Sequence, residues 1–299
     1  MRAGYFGPEG TFTHEALIES VGAAGGGAGA GSGGGSGAGE LEAVPLPTIY
    51  DTVMAVHAGT VERALVPIEN SLEGSVNATL DALAIDTEDV AIVGEVVRPI
   101  RHSLIARTEL ELDEIEAVVS HPQATAQCAR FIRTRLPGAR VLAGSSTADA
   151  VRLVAEHDGP WAALANRLAA ERYGCRVLRS EVEDVAGNET RFVWLARVGT
   201  PPGAPWDAEP PLGPWKTAIV FWGVGADAPG WLVACLSEFA SRHVNLTRIE
   251  SRPRKQGLGH YMFFLDLEGR DTESHVADAL AGLRDYVEVV RVLGSFPSF

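Results

Sequence analysis

Cysteine is scarce in this 299-residue sequence, and positive charge is in deficit. The three cysteines, Cys128, Cys175 and Cys235, are far apart and form no CxxC pair. That spacing provides neither a disulfide framework nor a zinc site, and it fits a reducing compartment. The formal net charge of −14 argues against a nucleic-acid-binding surface. An anionic small-molecule substrate would therefore need a local site that works against the field of the whole protein.

Long apolar runs are also missing. No run approaches the length of roughly 20 residues that a membrane span needs, and residues 1–8 contain no apolar stretch long enough for a signal peptide. We therefore predict a cytoplasmic protein with no membrane partner. Apolar residues make up 46% of the chain and charged residues 21%, which is typical of soluble globular proteins. The length allows two domains, each with its own core.

Two segments of biased composition divide the chain. Residues 22–39 are almost entirely Gly, Ala and Ser, and because such a segment cannot bury apolar surface, we predict a flexible insertion. Residues 199–215 are rich in proline and predict a semi-rigid linker. The predicted organisation is a first domain over residues 1–198, the linker over 199–215 and a second domain over 216–299.

The hydrophobic patterns of the two domains differ. Before the linker, short apolar runs alternate with helical patterns, which predicts α/β layers with a mainly parallel sheet and a site at the carboxyl ends of its strands. One of these helices is predicted over residues 122–135, because a proline stands in its first turn. After the linker the predicted order is β-α-β-β-α-β, which is typical of a ferredoxin-like module.

A hydroxyl and a guanidinium stand side by side at Thr190 and Arg191, where a loop feeds a strand. Such loops commonly hold catalytic groups. Arginine can bind a carboxylate through two parallel hydrogen bonds, and threonine can donate one to a neighbouring oxygen. On its own, such a pair is more often a turn followed by an edge arginine, because short motifs match by accident.

Other polar stretches follow predicted strands. Residues 7–13 (GPEGTFT) place Thr11 either against a ligand or at the cap of the next helix. Residues 67–74 (PIENSLEG) offer an acid, an amide and a hydroxyl, unless they form only a turn. Residues 120–123 (SHPQ) open a helix, whose N-terminus favours anions or is capped by Ser120.

Taken together and in order, these stretches resemble prephenate dehydratase, the family that converts prephenate to phenylpyruvate on the route to phenylalanine. The specific motifs are GPEGTFT at 7–13, PIENSLEG at 67–74, SHPQATAQC at 120–128 and GNETRFVWL at 187–195. Residues 246–253 (LTRIESRP) resemble the regulatory ACT-domain signature of the family. The resemblance covers nearly the whole chain outside the Gly-rich insertion and the linker.

The resemblance implies a fold and a set of site residues. The catalytic half should be two α/β lobes around a cleft, similar to periplasmic binding proteins, followed by a ferredoxin-like βαββαβ ACT domain. No helical segment precedes Gly4, so we expect no fused chorismate mutase. The implied catalytic residues are Thr190, Arg191, Asn70, Ser120 and Gln127, and the further predicted substrate contacts are Thr11, Glu69, Ser71, His121 and Phe192.

The chemistry of prephenate suggests a role for each group. One carboxylate leaves as carbon dioxide, and a strong cation on it would stabilise the ground state. We therefore predict Arg191 on the pyruvyl carboxylate, which stays charged, and Thr190 as a positioned donor to the leaving ring hydroxyl. Glu69 and His121 are alternative acids. We predict neither a metal nor an organic cofactor, since aromatisation drives the reaction and the sequence contains no ligand cluster.

The ACT resemblance implies feedback inhibition by L-phenylalanine, bound where the ACT domains of a homodimer or homotetramer pair. Asn245 and Leu246 would supply backbone contacts. A rigid loop near the effector or the catalytic domain is predicted from Glu250, Ser251, Arg252 and Pro253. The turn Gly230, Trp231 and Leu232 departs from the family, which usually has a small residue in place of Trp231. That tryptophan would narrow the effector pocket or enlarge an interface.

Three alternative functions stay open at this point. An arogenate dehydratase performs the same chemistry on a substrate that carries an ammonium in place of the ketone. A non-catalytic amino-acid sensor would combine a binding-protein fold with an ACT module, but the Thr190–Arg191 pair and its partners argue against decay of the site. An exported solute-binding protein is disfavoured because the sequence shows no signal segment.

Overall fold

The computed structural model describes residues 1–25, 41–203, 213–223, 225 and 228–298. Its strands are β1 (Arg2–Phe6), β2 (Glu42–Leu46), β3 (Arg63–Asn70), β4 (Gly74–Ser75), β5 (Val90–Pro99), β6 (Ser103–Ala106), β7 (Ala117–Ser120), β8 (Arg140–Ala143), β9 (Trp161–Ala165), β10 (Arg176–Arg179), β11 (Glu189–Arg197), β12 (Trp215–Trp222), β13 (Leu246–Pro253), β14 (Tyr261–Glu268) and β15 (Val289–Pro297). Its α-helices are α1 (Phe12–Gly25), α2 (Ile49–His57), α3 (Asn77–Asp81), α4 (Pro122–Gln127), α5 (Ala129–Arg135), α6 (Thr147–Glu156), α7 (Arg167–Arg172), α8 (Trp231–Ala240) and α9 (Ser274–Leu283).

The first two sheets form two lobes. Lobe 1 contains the sheet β2-β1-β3-β11-β5, with β4 beside β3, and lobe 2 contains the sheet β10-β6-β9-β7-β8. The chain leaves lobe 1 after β5 and returns to it at β11, so two crossings connect the lobes. This two-lobed arrangement confirms the predicted fold class for the catalytic half.

Both lobes contain mixed sheets, so the prediction of a mainly parallel sheet was wrong. In lobe 1, β1 is parallel to β2 and β3, but β11 is antiparallel to β3 and β5. In lobe 2, β7 is parallel to β8 and β9, whereas β6 is antiparallel to β9 and β10. The return of β11 from lobe 2 reverses its direction, which places Thr190 at its start directly opposite Asn70 at the end of β3.

The last sheet, β13-β14-β12-β15, is antiparallel throughout and confirms the predicted ferredoxin-like module. Helices α8 and α9 cover one face through the buried side chains of Phe239 and Leu283. The residues predicted as a rigid loop at 250–253 lie inside strand β13, because their backbone pairs with β14 up to the partners Pro253 and Tyr261.

The other face of this ACT sheet packs directly on lobe 1. Phe264 and Phe296 of the ACT sheet belong to the same buried cluster as Ile92 and Val193 of lobe 1. Gly294 approaches β5 so closely that a Cβ atom there would lie 2.0 Å from the carbonyl oxygen of Ile92. The two domains therefore share one continuous apolar core rather than a loose contact.

Several boundaries of helices and segments in the structure differ from those predicted from the sequence. Helix α1 reaches Gly25, so the first residues of the predicted insertion are helical, and the rest of it lies outside the described residues. The predicted linker is described only at 199–203 and 213–215, and Trp215 already begins β12. The helix predicted over 122–135 divides into α4 and α5 at Cys128, whose φ and ψ of −113° and 17° leave the helical region. No described helix is long and apolar enough to cross a membrane.

Candidate active site

A cleft of about 350 Å³ lies between the lobes. Strands β3 and β11 of lobe 1 end or begin at its wall, and helices α1, α4 and α6 begin there. Of the predicted catalytic and substrate-contact residues, the cleft is lined by Thr11, Asn70, His121, Gln127, Thr190 and Phe192. The structure does not place Glu69, Ser71, Ser120 or Arg191 among its lining residues.

Asn70 and Thr190 form the centre of the lobe 1 wall. The side-chain oxygen of Asn70 accepts hydrogen bonds from the backbone N–H groups of Leu72 and Glu73, both at 3.0 Å. This fixes the orientation of the amide, so Nδ2 donates to Thr190 Oγ1 at 2.9 Å. Because the threonine oxygen accepts that bond, its own hydrogen stays free to donate into the cleft.

A chain of neutral side chains extends from Asn70 across the cleft. Asn70 Nδ2 also donates to Asn188 Oδ1 at 2.8 Å, and Asn188 Nδ2 donates to Gln127 Oε1 at 3.3 Å. Gln127 Oε1 is 2.9 Å from His102 Nε2, and Gln127 Nε2 donates to Glu73 Oε1 at 3.0 Å. These bonds fix the amide of Gln127 and connect helix α4 to lobe 1. We call Thr190, Asn70, Asn188, Gln127 and His102 the amide network.

Sequence reasoning missed two members of the amide network, Asn188 and His102. Asn188 stands two residues before Thr190 in the motif GNETRFVWL, and this position could have identified it as a site residue. His102 lies in the crossing from lobe 1 to lobe 2, where no sequence feature marks it. Burial lowers the pKa of His102 below its usual value. The neutral ring donates from Nε2 to Gln127 Oε1, because that oxygen already serves as an acceptor for Asn188.

The described lining of the cleft contains no permanently charged side chain. None of the described lining residues is Arg, Lys, Asp or Glu. The imidazole of His121 accepts a hydrogen bond at Nδ1 from the backbone N–H of Gln123, at 3.3 Å, and so caps α4. Thr13 in the first turn of α1 is buried and lines the cleft. The hydrogen-bond donors available to a bound anion are therefore side-chain hydroxyl groups and the backbone N–H groups at helix N-termini.

Arg191 lies on the opposite face of β11 from Thr190, because successive side chains of a strand point to opposite faces. Its Nη2 atom is 2.5 Å from Asp266 Oδ2 of the ACT domain, and its Nη1 is 3.2 Å from Glu95 Oε2. Its Nε is 3.2 Å from Glu69 Oε2. Burial alone would lower the pKa of Arg191, but Asp266, Glu95 and Glu69 together raise it. The guanidinium is thus already bound to carboxylates of the protein.

Ser120 and Ser71 have structural hydrogen bonds. Ser120 is fully buried, and its Oγ donates to the carbonyl of Leu164 at 2.6 Å, which connects β7 to β9. Ser71 is exposed, and its Oγ accepts from the backbone N–H of Glu189 at 2.9 Å. Both serines therefore stabilise the strands around the cleft instead of lining it.

The residues predicted for the effector divide between the ACT core and the domain interface. Trp231 is buried, and its Nε1 donates to the carbonyl of Tyr286 at 2.7 Å. A Cβ atom on Gly225 would lie 2.4 Å from the indole, so glycine makes room for it. Glu250 accepts a hydrogen bond from Ser75 of lobe 1 at 2.9 Å.

Arg252 makes the second contact from β13 to lobe 1. Its Nε and Nη2 donate to the two carboxylate oxygens of Asp81 at 3.1 and 2.9 Å. Asn245 is exposed at the turn before β13, and Gly230 before α8 adopts a left-handed conformation with φ of 86°. Among the described residues, no group of three or more His, Cys, Asp and Glu side chains is arranged to hold a metal ion.

Known proteins match the chain over its whole length. The family model described as "Prephenate dehydratase" matches residues 3–200, and the model described as "ACT domain" matches residues 223–285. A prephenate dehydratase from Amycolatopsis methanolica is 41% identical over 296 residues, which are 99% of this chain and 88% of the relative.

Two solved structures extend the likeness to three dimensions. A prephenate dehydratase from Arthrobacter aurescens, in complex with L-Phe, is 38% identical with a TM-score of 0.83, covering 99% of this chain and 90% of that one. GqqA, described as a novel type of quorum quenching acylase, is 29% identical with a TM-score of 0.80, covering 100% of this chain and 98% of that one.

Proposed function

We propose that this chain, which belongs to the prephenate dehydratase family, carries out the reaction of that family in the cleft between its two lobes. The enzyme is a hydro-lyase that converts prephenate to phenylpyruvate, water and carbon dioxide in L-phenylalanine biosynthesis. The observation that carries the assignment of the site is the bond from Asn70 Nδ2 to Thr190 Oγ1 at 2.9 Å, which leaves the threonine hydrogen free for the substrate.

Thr190 acts as the positioned donor to the leaving ring hydroxyl. The bond from the ring to the departing carboxylate breaks, its electron pair completes the aromatic ring, and the ring hydroxyl leaves with its own electron pair. That oxygen takes up one proton, supplied ultimately by solvent, and leaves as water. A hydrogen bond aimed at the departing oxygen stabilises its growing negative charge, and such help is typically worth about 10²–10⁴-fold.

The neutral lining of the cleft suits the loss of carbon dioxide. One carboxylate loses its charge in the transition state, so a cation held against it would stabilise the substrate more than the transition state. The retained pyruvyl carboxylate is bound by hydrogen-bond donors, for which the buried Thr13 hydroxyl and the start of α1 are the candidates. Arg191 does not take this role, because its guanidinium contacts three carboxylates on the other face of β11.

The rest of the amide network orients the substrate. Asn188, Gln127 and His102 are held by hydrogen bonds to one another before any substrate arrives. Fixed neutral dipoles of this kind need no reorganisation during the reaction, which is why they contribute to rate as well as to binding.

Amide hydrolysis, suggested by the relative described as an acylase, is less well supported. It would need a nucleophile held by a base. The hydrogen-bond partner of Thr190 Oγ1 is the amide of Asn70, and His102 Nε2 is bonded to Gln127. The described residues of the cleft therefore present a donor to a leaving group rather than a base-activated hydroxyl.

L-Phenylalanine is the proposed effector of the ACT domain. The Arthrobacter relative binds L-Phe, and both its sequence and its fold match this chain across the ACT region. The predicted homodimer or homotetramer and the predicted cytoplasmic location stay predictions. Unchanged activity across a phenylalanine titration, with no heat of binding in calorimetry, would remove this part of the proposal.

The direct test is to incubate the purified protein with prephenate and follow phenylpyruvate by its absorbance in alkali. We expect steady formation by the wild type, inhibition by phenylalanine, and loss of nearly all turnover in Thr190→Ala. Competing kcat/KM values for prephenate and arogenate decide between the two substrates. A folded wild type that forms no phenylpyruvate from prephenate contradicts the proposal.

A further inference from the structure

A group of buried and partly buried charged side chains connects the catalytic strands to the ACT domain. Lobe 1 contributes Glu69 on β3, Glu95 on β5 and Arg191 on β11, and the ACT domain contributes Lys216, Arg248 and Asp266. We call these six residues the interface cluster. The lobe 1 members sum to one negative charge and the ACT members to one positive charge, so the two sides complement each other across the interface.

Arg191 is the centre of the interface cluster. Its side chain is 11% exposed, and it contacts carboxylates on three different strands, of which Glu95 is 0% and Asp266 2% exposed. Asp266 makes the shortest of these contacts, at 2.5 Å. Lys216 Nζ lies 2.8 Å from Glu95, and Arg248 Nη1 lies 3.5 Å from Asp266. Buried charges of this kind hold their geometry, because any displacement leaves a charge without its partner.

The interface cluster lies directly behind the centre of the cleft. Arg191 follows Thr190 on β11, and Glu69 precedes Asn70 on β3. The cross-strand pairs are also adjacent, since Thr190 faces Asn70 and Arg191 faces Glu69. The β3–β11 ladder shifts register immediately after Arg191. On its other edge β11 pairs regularly with β5 through Arg191, so at the irregular point of the β3–β11 ladder the side-chain contacts of Arg191 add to the β5 ladder in fixing the strand.

We infer that Asp266 of the ACT domain is a positioning residue for Thr190 and acts through Arg191. The inference rests on the proposed function of the cleft. Asp266 holds the guanidinium from the ACT side, the guanidinium holds β11 beside its register shift, and β11 holds the Thr190 hydroxyl at 2.9 Å from Asn70. The ACT domain thereby sets the geometry of the donor, and a misplacement of about 1 Å can lower turnover by as much as 10²-fold.

A second ion pair in the same domain interface provides a matched control. Asp81 of α3 binds Arg252 of β13 through two hydrogen bonds and lies 3.0 Å from Lys255. Like Asp266, it is a largely buried aspartate that joins lobe 1 to the ACT domain. Asp81 neither lines the cleft nor touches β11 through its side chain. Loss of its charge weakens the interface without acting on Thr190.

The experiment compares Asp266→Asn with Asp81→Asn in the full chain. Each variant is assayed for kcat and KM with prephenate, and its thermal midpoint is measured. We expect both midpoints to fall, but only Asp266→Asn to lower kcat, by about tenfold or more and with a much smaller change in KM. Equal kcat losses in the two variants, or an unchanged kcat in folded Asp266→Asn, would overturn the inference.

A second readout separates positioning from general weakening. In a Thr190→Ala background, Asp266→Asn should lower kcat little further, because the donor that it positions is already absent. Multiplicative losses would contradict a role through Thr190. If Asp266→Asn does not fold, Arg191→Lys serves instead, since lysine keeps the charge but not the planar fork. Wild-type kcat in that variant would overturn the inference. A wild type inactive on prephenate refutes the proposed function itself, whatever the variants do.

Discussion

The two faces of strand β11 differ in the kind of group they bury. The face toward the cleft presents Thr190 and Phe192 beside amides and an uncharged imidazole, with no Arg, Lys, Asp or Glu among the described lining residues. The face toward the ACT domain presents Arg191 within a cluster of six buried or partly buried charges. One strand therefore separates the proposed reaction site, which has no Arg, Lys, Asp or Glu among its described lining residues, from a charged domain contact.

This difference follows from what each face has to do. A reaction that discharges a carboxylate gains little from a cation in contact with it, so neutral donors suit the cleft. An interface between domains needs fixed geometry, and buried charges provide it when every charge is paired. The comparison indicates that Arg191, the cation beside Thr190, stabilises structure, and in the proposed mechanism the substrate contacts come from hydroxyls and amides.

The largest expected effect is on turnover at the cleft face. Thr190→Ala removes the hydroxyl donor, and we expect kcat to fall by about 10²–10⁴-fold, whereas Thr190→Ser should keep a useful fraction. Ser120→Ala removes a hydroxyl that is bonded to Leu164 instead, so it should keep most of its kcat. Steady-state kinetics with prephenate measures all three variants. A larger loss in Ser120→Ala than in Thr190→Ala would restore the role that the sequence predicted for Ser120.

The next effect is on stability at the charged face. Arg191→Met leaves Glu69, Glu95 and Asp266 without their shared partner, and breaking a buried ion pair in this way typically costs about 3–5 kcal/mol. Chemical denaturation measures the change in the free energy of unfolding. A stable variant whose main defect is a raised KM for prephenate would instead support carboxylate binding by Arg191.

Thr190 and Arg191 show how much of the site could be predicted from the sequence alone. Thr190 was found from its motif, but the motif was placed at the mouth of a strand, where Thr190 and Arg191 could face the same ligand. The structure begins β11 at Glu189. Because the side chains of a strand alternate between its two faces, Arg191 then lies on the face opposite Thr190. Phe192 and Trp194 are buried on the Thr190 side and Val193 and Leu195 on the Arg191 side, so the sequence reads as one apolar run and does not mark the two faces.

A smaller effect is expected from the packing of the domain interface. At Gly294→Ala, the new Cβ would lie 2.0 Å from the carbonyl oxygen of Ile92, so β15 must move away from β5. We expect a loss of about 1–3 kcal/mol in the free energy of unfolding, as for other overpacked sites. Gly138→Ala is the control, because a Cβ there has no neighbour within 4 Å. Equal stability of the two variants would mean that the domains are not closely packed.

The smallest effect concerns pH and the contact between the lobes. Glu15 on α1 accepts a hydrogen bond from Asn166 of lobe 2 at 3.1 Å, and burial raises its pKa to about 7 from its ordinary value of 4.5. The folded state therefore holds this proton more tightly than the unfolded state. Its contribution to stability is present below pH 4.5 and is lost as the pH rises to about 7.

Glu15→Gln removes this pH dependence and keeps an acceptor for Asn166. We expect the variant to be more stable than the wild type at pH 8, by roughly 1–2 kcal/mol. The full shift to about 7 corresponds to about 3 kcal/mol at about 1.4 kcal/mol per pKa unit, and the partial exposure of Glu15 to solvent reduces it. The difference should vanish near pH 4. Thermal melts at both pH values measure it, with the exposed Glu116→Gln as control. A difference that does not depend on pH would contradict burial of the Glu15 carboxyl.

Some of the remaining features of the fold and the site can be predicted from local sequence patterns, and others cannot. The order of strands and helices in the ACT domain follows from local hydrophobic patterns and was predicted. Three features depend on contacts between residues far apart in sequence, which no local pattern predicts. They are the antiparallel direction of β11, the packing of Gly294 on Ile92 and the interface cluster. The role of His102 also depends on a contact of this long-range type, because only the fold brings its ring to Gln127.

The most direct test of the account is a double-mutant cycle between Asn70 and Thr190, measured as kcat with prephenate. In the proposed mechanism Asn70 fixes the Thr190 hydroxyl with its hydrogen free for the leaving group. We therefore expect Asn70→Ala and Thr190→Ala each to lower kcat strongly, and the double variant to be hardly worse than Thr190→Ala alone. Losses that multiply in the double variant would contradict it, because the two side chains would then act independently.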